Sequence, residues 1–125
     1  MQVILRRDSV AAGDDADAPH EQTISVPDGL DIEAIIARAA QSGYLASISG
    51  GKATWSATSK IPLAVVAQEW DYQPKLLSFF PVEPHQLDRV DGRLRLYFTY
   101  YAQLDPQIVY ETLRRWQGSA SGAWT

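Results

Sequence analysis

Apolar residues run most continuously through the middle of the chain, between Leu63 and Trp70. The run is too short for periodicity to separate a strand from a helix, but Pro62 before it and the β-branched valines inside it favour a strand. Because both faces of this strand are mostly apolar, we expect a central strand that is covered on both sides. The preceding residues 53–58 alternate, with Trp55 and the alanines on one face, and predict a half-buried strand joined to the first by a short turn.

Further segments of the chain also have strand character. Residues 2–8 and 21–26 have alternating apolar positions and predict a hairpin, whose long tip is acidic and contains Gly and Pro. Residues 93–101 alternate strictly and predict a second strong strand. The apolar segment 75–80 predicts a short strand or an extended stretch, followed by one helical turn that begins at Pro84.

Two helices are predicted from capping residues and apolar stripes. Asp31 is placed to cap the first helix, which we expect to span about residues 32–42 and to end at Gly43 in the left-handed conformation. Its apolar residues recur at helical spacing, as they must in a helix that lies across a sheet. The dipeptide Asp105-Pro106 predicts the start of the second helix, which reaches about residue 116.

These elements indicate one α+β domain over residues 1–116 and a flexible C-terminal tail over residues 117–125. The element order is β-β-α-β-β-β-α, and we expect a mixed sheet of about five strands with two helices packed on it. Up to the fifth strand, this order resembles that of ubiquitin-like β-grasp domains. The resemblance implies an adaptor or carrier as one alternative function. Carriers of that type usually end in a mobile Gly-Gly, whereas this chain ends Gly122-Ala123-Trp124-Thr125.

The composition and net charge of the chain disfavour or exclude several classes of function. A net charge of −4 and a pI of about 5.0 disfavour nucleic acid or an anionic membrane as the main partner, because phosphate groups are bound by basic surfaces. The absence of cysteine excludes disulfides, zinc thiolate sites and thiol catalysis. The N-terminal apolar run is too short for a signal peptide, and no segment is long and apolar enough to span a bilayer. We therefore expect a cytoplasmic protein.

Catalytic and metal-binding motifs are weak. Gly50-Gly51-Lys52 is similar to part of a phosphate-binding loop, but it lacks the first glycine and the following Ser or Thr, and it precedes a strand. The acidic residues near His20 do not have the spacing of a helix-loop-helix calcium site. His20 and His85 both have carboxylates nearby in sequence, so a hydrolase that uses one of them is a further alternative. No serine occupies a nucleophile elbow. We expect no catalytic set, no metal site and no cofactor.

The remaining candidates are residues typical of a protein-binding surface. Aspartates in the hairpin tip and aromatic side chains outside the core are candidate partner-binding residues, because exposed aromatics anchor many interfaces. They are Asp14, Asp15, Asp17, Trp70, Tyr72, Tyr97 and Tyr101. The leading hypothesis is a small acidic protein-binding module that binds a basic protein, such as an immunity or inhibitor protein that neutralises its partner. The sequence leaves the identity of the partner and the oligomeric state open.

Overall fold

The chain forms a mixed sheet with one helix on each face. The computed structural model describes residues 1–10, 21–45, 51–78 and 81–119, with side chains described up to residue 115. The elements in chain order are β1 (Gln2–Arg7), β2 (Gln22–Ser25), α1 (Ile32–Gln41), β3 (Thr54–Thr58), β4 (Pro62–Ala67), β5 (Lys75–Leu76), β6 (Arg89–Val90), β7 (Arg93–Tyr100) and α2 (Pro106–Ser119). Single 3-10 turns span Gln68–Trp70 and Pro84–Gln86. The predicted α+β class is confirmed.

The sheet combines parallel and antiparallel pairs. Its order is β2-β1-β7-β3-β4-β5, and β6 pairs with β7 beside this path. β1 and β7 are parallel, with Val3 opposite Leu94, whereas every other pair is antiparallel. The predicted β-grasp-like element order is therefore confirmed. The sheet has seven strands where about five were predicted, because β5 and β6 are additional two-residue strands.

The main core lies between α1 and one face of the sheet. The Asp31 side chain caps α1 by accepting a hydrogen bond of 2.8 Å from the Ala34 amide, and Gly43 closes the helix with a φ of +90°. These features are as predicted. Ile36 and Ala39 on the inner stripe of α1 are fully buried against the sheet. Alternate residues of β1, β3 and β7 complete this core, namely Val3, Leu5, Trp55, Ala57, Leu94, Leu96 and Phe98.

All six residues of β4 are buried, as expected of a strand that is covered on both sides. Val66 faces the main core, while Val65 packs with Val109 and Tyr110 of α2 in a second cluster. The prediction that the strand continues to Trp70 was wrong, because residues 68–70 form a 3-10 turn. The chain reverses there through left-handed residues at 71 and 72, which lets β5 pair back onto β4.

The second helix covers half of the sheet face opposite α1. It begins at Pro106, as predicted, and it continues to Ser119, three residues past the predicted end. Its described contacts with the sheet are mainly with β4, so the face of β2, β1 and β7 beyond it carries exposed side chains such as Arg95 and Tyr97. We call this uncovered half the bare face. Within the described residues, neither helix has the length and apolar character needed to cross a membrane.

Candidate functional site

A cavity lies where α1 begins. Its volume is about 500 Å³, which is within the usual range for ligand pockets. The walls come from α1, from the ends of β4, β5 and β7, and from the segment around the 3-10 turn at residues 84–86. They are mainly apolar, and include Leu30, Ile32, Leu63, Leu76, Val82 and Leu87. Only a partner with an apolar group would gain from filling such a space.

Charged groups surround the mouth of this cavity. The ammonium of Met1 lies 2.8 Å from Oδ1 of Asp28 and also donates to the carbonyl oxygen of Val26. The hydrogen bond from the Met1 ammonium to Asp28 holds the pKa of Asp28 below its usual value. Glu33, in the first turn of α1, is exposed and forms no ion pair among the described residues. Arg89 lines the opposite side, where its Nη1 lies 3.7 Å from the sulfur of Met1.

Local structure holds these walls in place. Leu30 and Ile35 lie on either side of the helix cap, at the spacing of a hydrophobic staple, and both line the cavity. On the opposite wall, Glu83 and Gln86 form a reciprocal capping box around the 3-10 turn. The carbonyl of Gln86 accepts a hydrogen bond of 3.2 Å from the amide of Lys60, which ties this turn to the β3–β4 connection. The cavity therefore lies between two capped segments.

A second, smaller groove of about 290 Å³ lies on the bare face. Two ion pairs flank it. Nε of Arg6 lies 2.9 Å from Glu21, and Arg95 donates two hydrogen bonds of 3.0 Å to Asp88. Each guanidinium in the groove thus has a carboxylate partner, and the groove is close to electrically neutral. It offers little to attract a strongly charged ligand.

The predicted partner-binding aromatics lie on different surfaces. Tyr97 is 39% exposed on the bare face, where its hydroxyl donates a hydrogen bond of 2.5 Å to Asp8, which raises the pKa of Tyr97. Trp70 and Tyr101 pack against the cluster under α2. The Tyr101 hydroxyl lies 3.1 Å from Oγ of Ser56, and the ammonium of Lys75 lies 5.5 Å from a ring centroid of Trp70. Tyr72 packs at the edge of the main core.

The predicted acidic residues Asp14, Asp15 and Asp17 lie outside the described residues, as does His20. The charge balance still shows how much these aspartates contribute. All eleven cationic side chains and twelve of the fifteen carboxylates belong to described residues, so these three aspartates carry most of the net charge of −4. The described surface alone is therefore close to neutral.

The second candidate histidine, His85, is exposed in the 3-10 turn at residues 84–86. The structure brings no further described His, Asp or Glu into a group that could hold a metal ion with it. His85 also forms no ion pair among the described residues. The hydrolase alternative stays a prediction.

The cavity at the start of α1 was not identified from the sequence. Its walls come from several separate segments, and no local pattern shows that they meet. The one local signal was the staple spacing of Leu30 and Ile35, which places apolar side chains where the helix begins. Comparison with known proteins adds no further constraint, because no family model, no curated protein and no solved structure matches the chain.

Proposed function

We propose that the chain is a protein-binding module whose cavity at the start of α1 receives an apolar side chain of a basic partner protein. The observation that carries the proposal is the cavity itself, which combines about 500 Å³ of volume with apolar walls and a charged mouth. Buried apolar anchors surrounded by polar residues are the usual centre of a protein interface. A monomer gains nothing from leaving such apolar surface in contact with water.

The charge distribution supports a basic partner. Glu33 at the mouth forms no ion pair among the described residues, so a Lys or Arg beside the partner's anchor is able to pair with it. The three aspartates of segment 11–20 add long-range attraction, since they carry most of the net charge. Such attraction accelerates association and weakens as salt is added.

An inhibitory or immunity role is the biological function that we propose for this binding. A small acidic domain that covers part of a basic toxin or enzyme would neutralise it without any chemistry of its own.

A displayed library of random peptides tests the proposal directly. We expect peptides selected on the wild-type protein to combine one large apolar residue with neighbouring Lys or Arg. The substitution Val82→Trp fills the cavity, so it should weaken the selected peptides by about tenfold or more. Val90→Trp is the matched control, because Val90 is exposed on β6 and does not line the cavity.

A charge variant separates the electrostatic contribution to peptide binding from the contribution of the apolar anchor. Glu33→Lys should reduce peptide affinity by about three- to tenfold at low salt and much less at high salt. The same change at Glu111, which is exposed on α2, should leave affinity nearly unchanged. Selected peptides that bind the Val82→Trp variant as well as they bind the wild type would exclude the cavity as the binding site.

A further inference from the structure

The outer edge of β2 has backbone groups that no other described segment uses. The amide of Val26 donates to the carbonyl of Met1, and the ammonium of Met1 donates to the carbonyl of Val26, so residue 26 points its hydrogen-bonding groups toward β1. In an antiparallel pair this direction alternates along the strand. Ile24 therefore also faces β1, whereas Thr23 and Ser25 direct both their N–H and C=O groups outward. None of these outward groups is bonded within the described part of the chain.

The two ends of the sheet differ in how they limit further pairing. At the far end, β5 has only two residues, one of which is Lys75, and both features discourage pairing with another strand. At the near end, β2 has four residues and contains neither a charged residue nor proline. The strand itself thus carries neither the charge nor the proline that often protects an exposed edge, although it is short.

We propose that β2 pairs antiparallel with β2 of a second copy of this chain, so that two sheets join into one. The two-fold axis passes beside Ile24. Each Thr23 then exchanges both of its outward backbone hydrogen bonds with Ser25 of the partner subunit, which satisfies every free group of the strand. The arrangement is isologous, because the same edge serves both copies.

The side chains of β2 suit pairing with an identical strand. Ile24 is half-buried at the rim of the main core and would meet Ile24 of the partner subunit, which extends the apolar contact across the axis. On the other face, the hydroxyls of Thr23 and Ser25 lie opposite each other, a pairing that stabilises neighbouring strands. No charged side chain of β2 faces a like charge, because β2 contains none.

The neighbouring surface is also compatible with a second copy. Arg6 and Glu21, which lie beside this edge, neutralise each other at 2.9 Å. This described ion pair therefore adds no net charge to the edge. A strand of another protein could bond to the same backbone groups, but it would need an apolar residue opposite Ile24.

A proline substitution provides a selective test. Thr23→Pro removes an outward N–H and leaves the hydrogen bonds to β1 intact, because proline is tolerated at an outward-facing position of an edge strand. Thr23→Ala is the matched control, since it truncates the same side chain and keeps the N–H. By sedimentation velocity from micromolar to millimolar concentration, we expect dimers for the wild type and for Thr23→Ala. The dimer dissociation constant of Thr23→Pro should rise by about tenfold or more.

Hydrogen exchange of the wild type gives a second measurement that needs no variant. The amides of Thr23 and Ser25 should exchange more slowly as the protein concentration rises, whereas the amide of Ile24, already bonded to β1, should change little. Far-UV circular dichroism checks that Thr23→Pro is folded. A wild type that stays monomeric throughout, or a folded Thr23→Pro that dimerises as tightly as the wild type, would overturn the proposal.

Discussion

The two faces of β7 carry opposite kinds of residue along one strand. Leu94, Leu96 and Phe98 are at most 2% exposed beneath α1, whereas their immediate neighbours Arg95 and Tyr97 are exposed on the bare face. The backbone conformation is the same for both sets. The difference arises because a helix covers one face of this strand and no described helix covers the other.

The contrast between β7 and β4 shows how far this rule extends. Both strands lie inside the sheet, but β4 has a helix on each side and is buried at every position. Its sequence is correspondingly apolar without alternation, while that of β7 alternates. In these two strands the pattern reports how many faces are covered, but not what covers them. In β3 it does not report even the number: its alternating residues predicted a half-buried strand, and that was wrong, because Thr54 and Ser56 are buried as well as Trp55 and Ala57.

The largest effect should come from replacing adjacent aromatic residues on the two faces of β7. Phe98→Ala removes a fully buried ring and should lower the free energy of unfolding by about 3–5 kcal/mol. Tyr97→Ala removes a partly exposed ring and its hydrogen bond to Asp8, and should lower it by about 1 kcal/mol. Chemical denaturation measures both variants. Equal losses would show that the bare face is covered in solution.

Tyr44 and Tyr97 both have a raised pKa, but the main cause differs. Burial raises the pKa of Tyr44 to about 12, although the nearby Arg7 opposes the shift, whereas the hydrogen bond to Asp8 is the main cause that raises the pKa of Tyr97. The unfolded chain releases the Tyr44 proton near pH 10, while the folded chain retains it until about pH 12. The contribution of Tyr44 to stability is therefore complete below pH 10 and is lost between pH 10 and 12.

Absorbance at alkaline pH together with denaturation can check this behaviour. The Tyr44→Phe variant should lose the late ionisation and should show a flatter decline in stability between pH 10 and 12. An unchanged slope in Tyr44→Phe would mean that another group determines the alkaline unfolding. Tyr97→Phe is the comparison on the bare face, and it should also flatten the decline, because the hydrogen bond to Asp8 raises the pKa of Tyr97 as well.

The smallest expected effects lie in the ion pairs of the bare face. The side chains of Arg6 and Glu21 are both about half exposed, so a double-mutant cycle should give a coupling of about 0.5 kcal/mol or less. Arg95 binds Asp88 through two hydrogen bonds, and Asp88 is less exposed, so its coupling should approach about 1 kcal/mol. Both couplings should decrease with added salt. A coupling energy for Arg6 and Glu21 larger than that for Arg95 and Asp88 would contradict this prediction.

The parts of the fold that depend on neighbouring residues could be predicted. The cap at Asp31, the closing Gly43 and the start at Pro106 follow from local hydrogen bonding and backbone preference, and all three are present. The six buried positions of β4 follow from its apolar run. Its end could not be predicted, because the left-handed conformations of Asp71 and Tyr72 are imposed by the return to β5.

Features that require distant segments to meet could not be predicted. The strand β6 has only two residues, too few to form a pattern, and it was not predicted. β5 lies in the segment 75–80 that was predicted as a short strand or an extended stretch, but its pairing with β4 could not be predicted. The cavity at the start of α1 joins residues from Met1 to Leu94, and no local signal links them. The predicted aromatic residues were selected one at a time, and sequence alone could not show that Tyr101 packs against the cluster under α2 while Tyr97 is exposed.

The parallel pairing of β1 with β7 also affects the order in which the chain can fold. Val3 pairs with Leu94, so two strands that are distant in sequence lie side by side. Contacts between distant segments raise the contact order of a fold and slow its formation. Until β7 is in place, the inner side chains of β1 lack a neighbouring strand on that side, which favours aggregation of a partly folded chain.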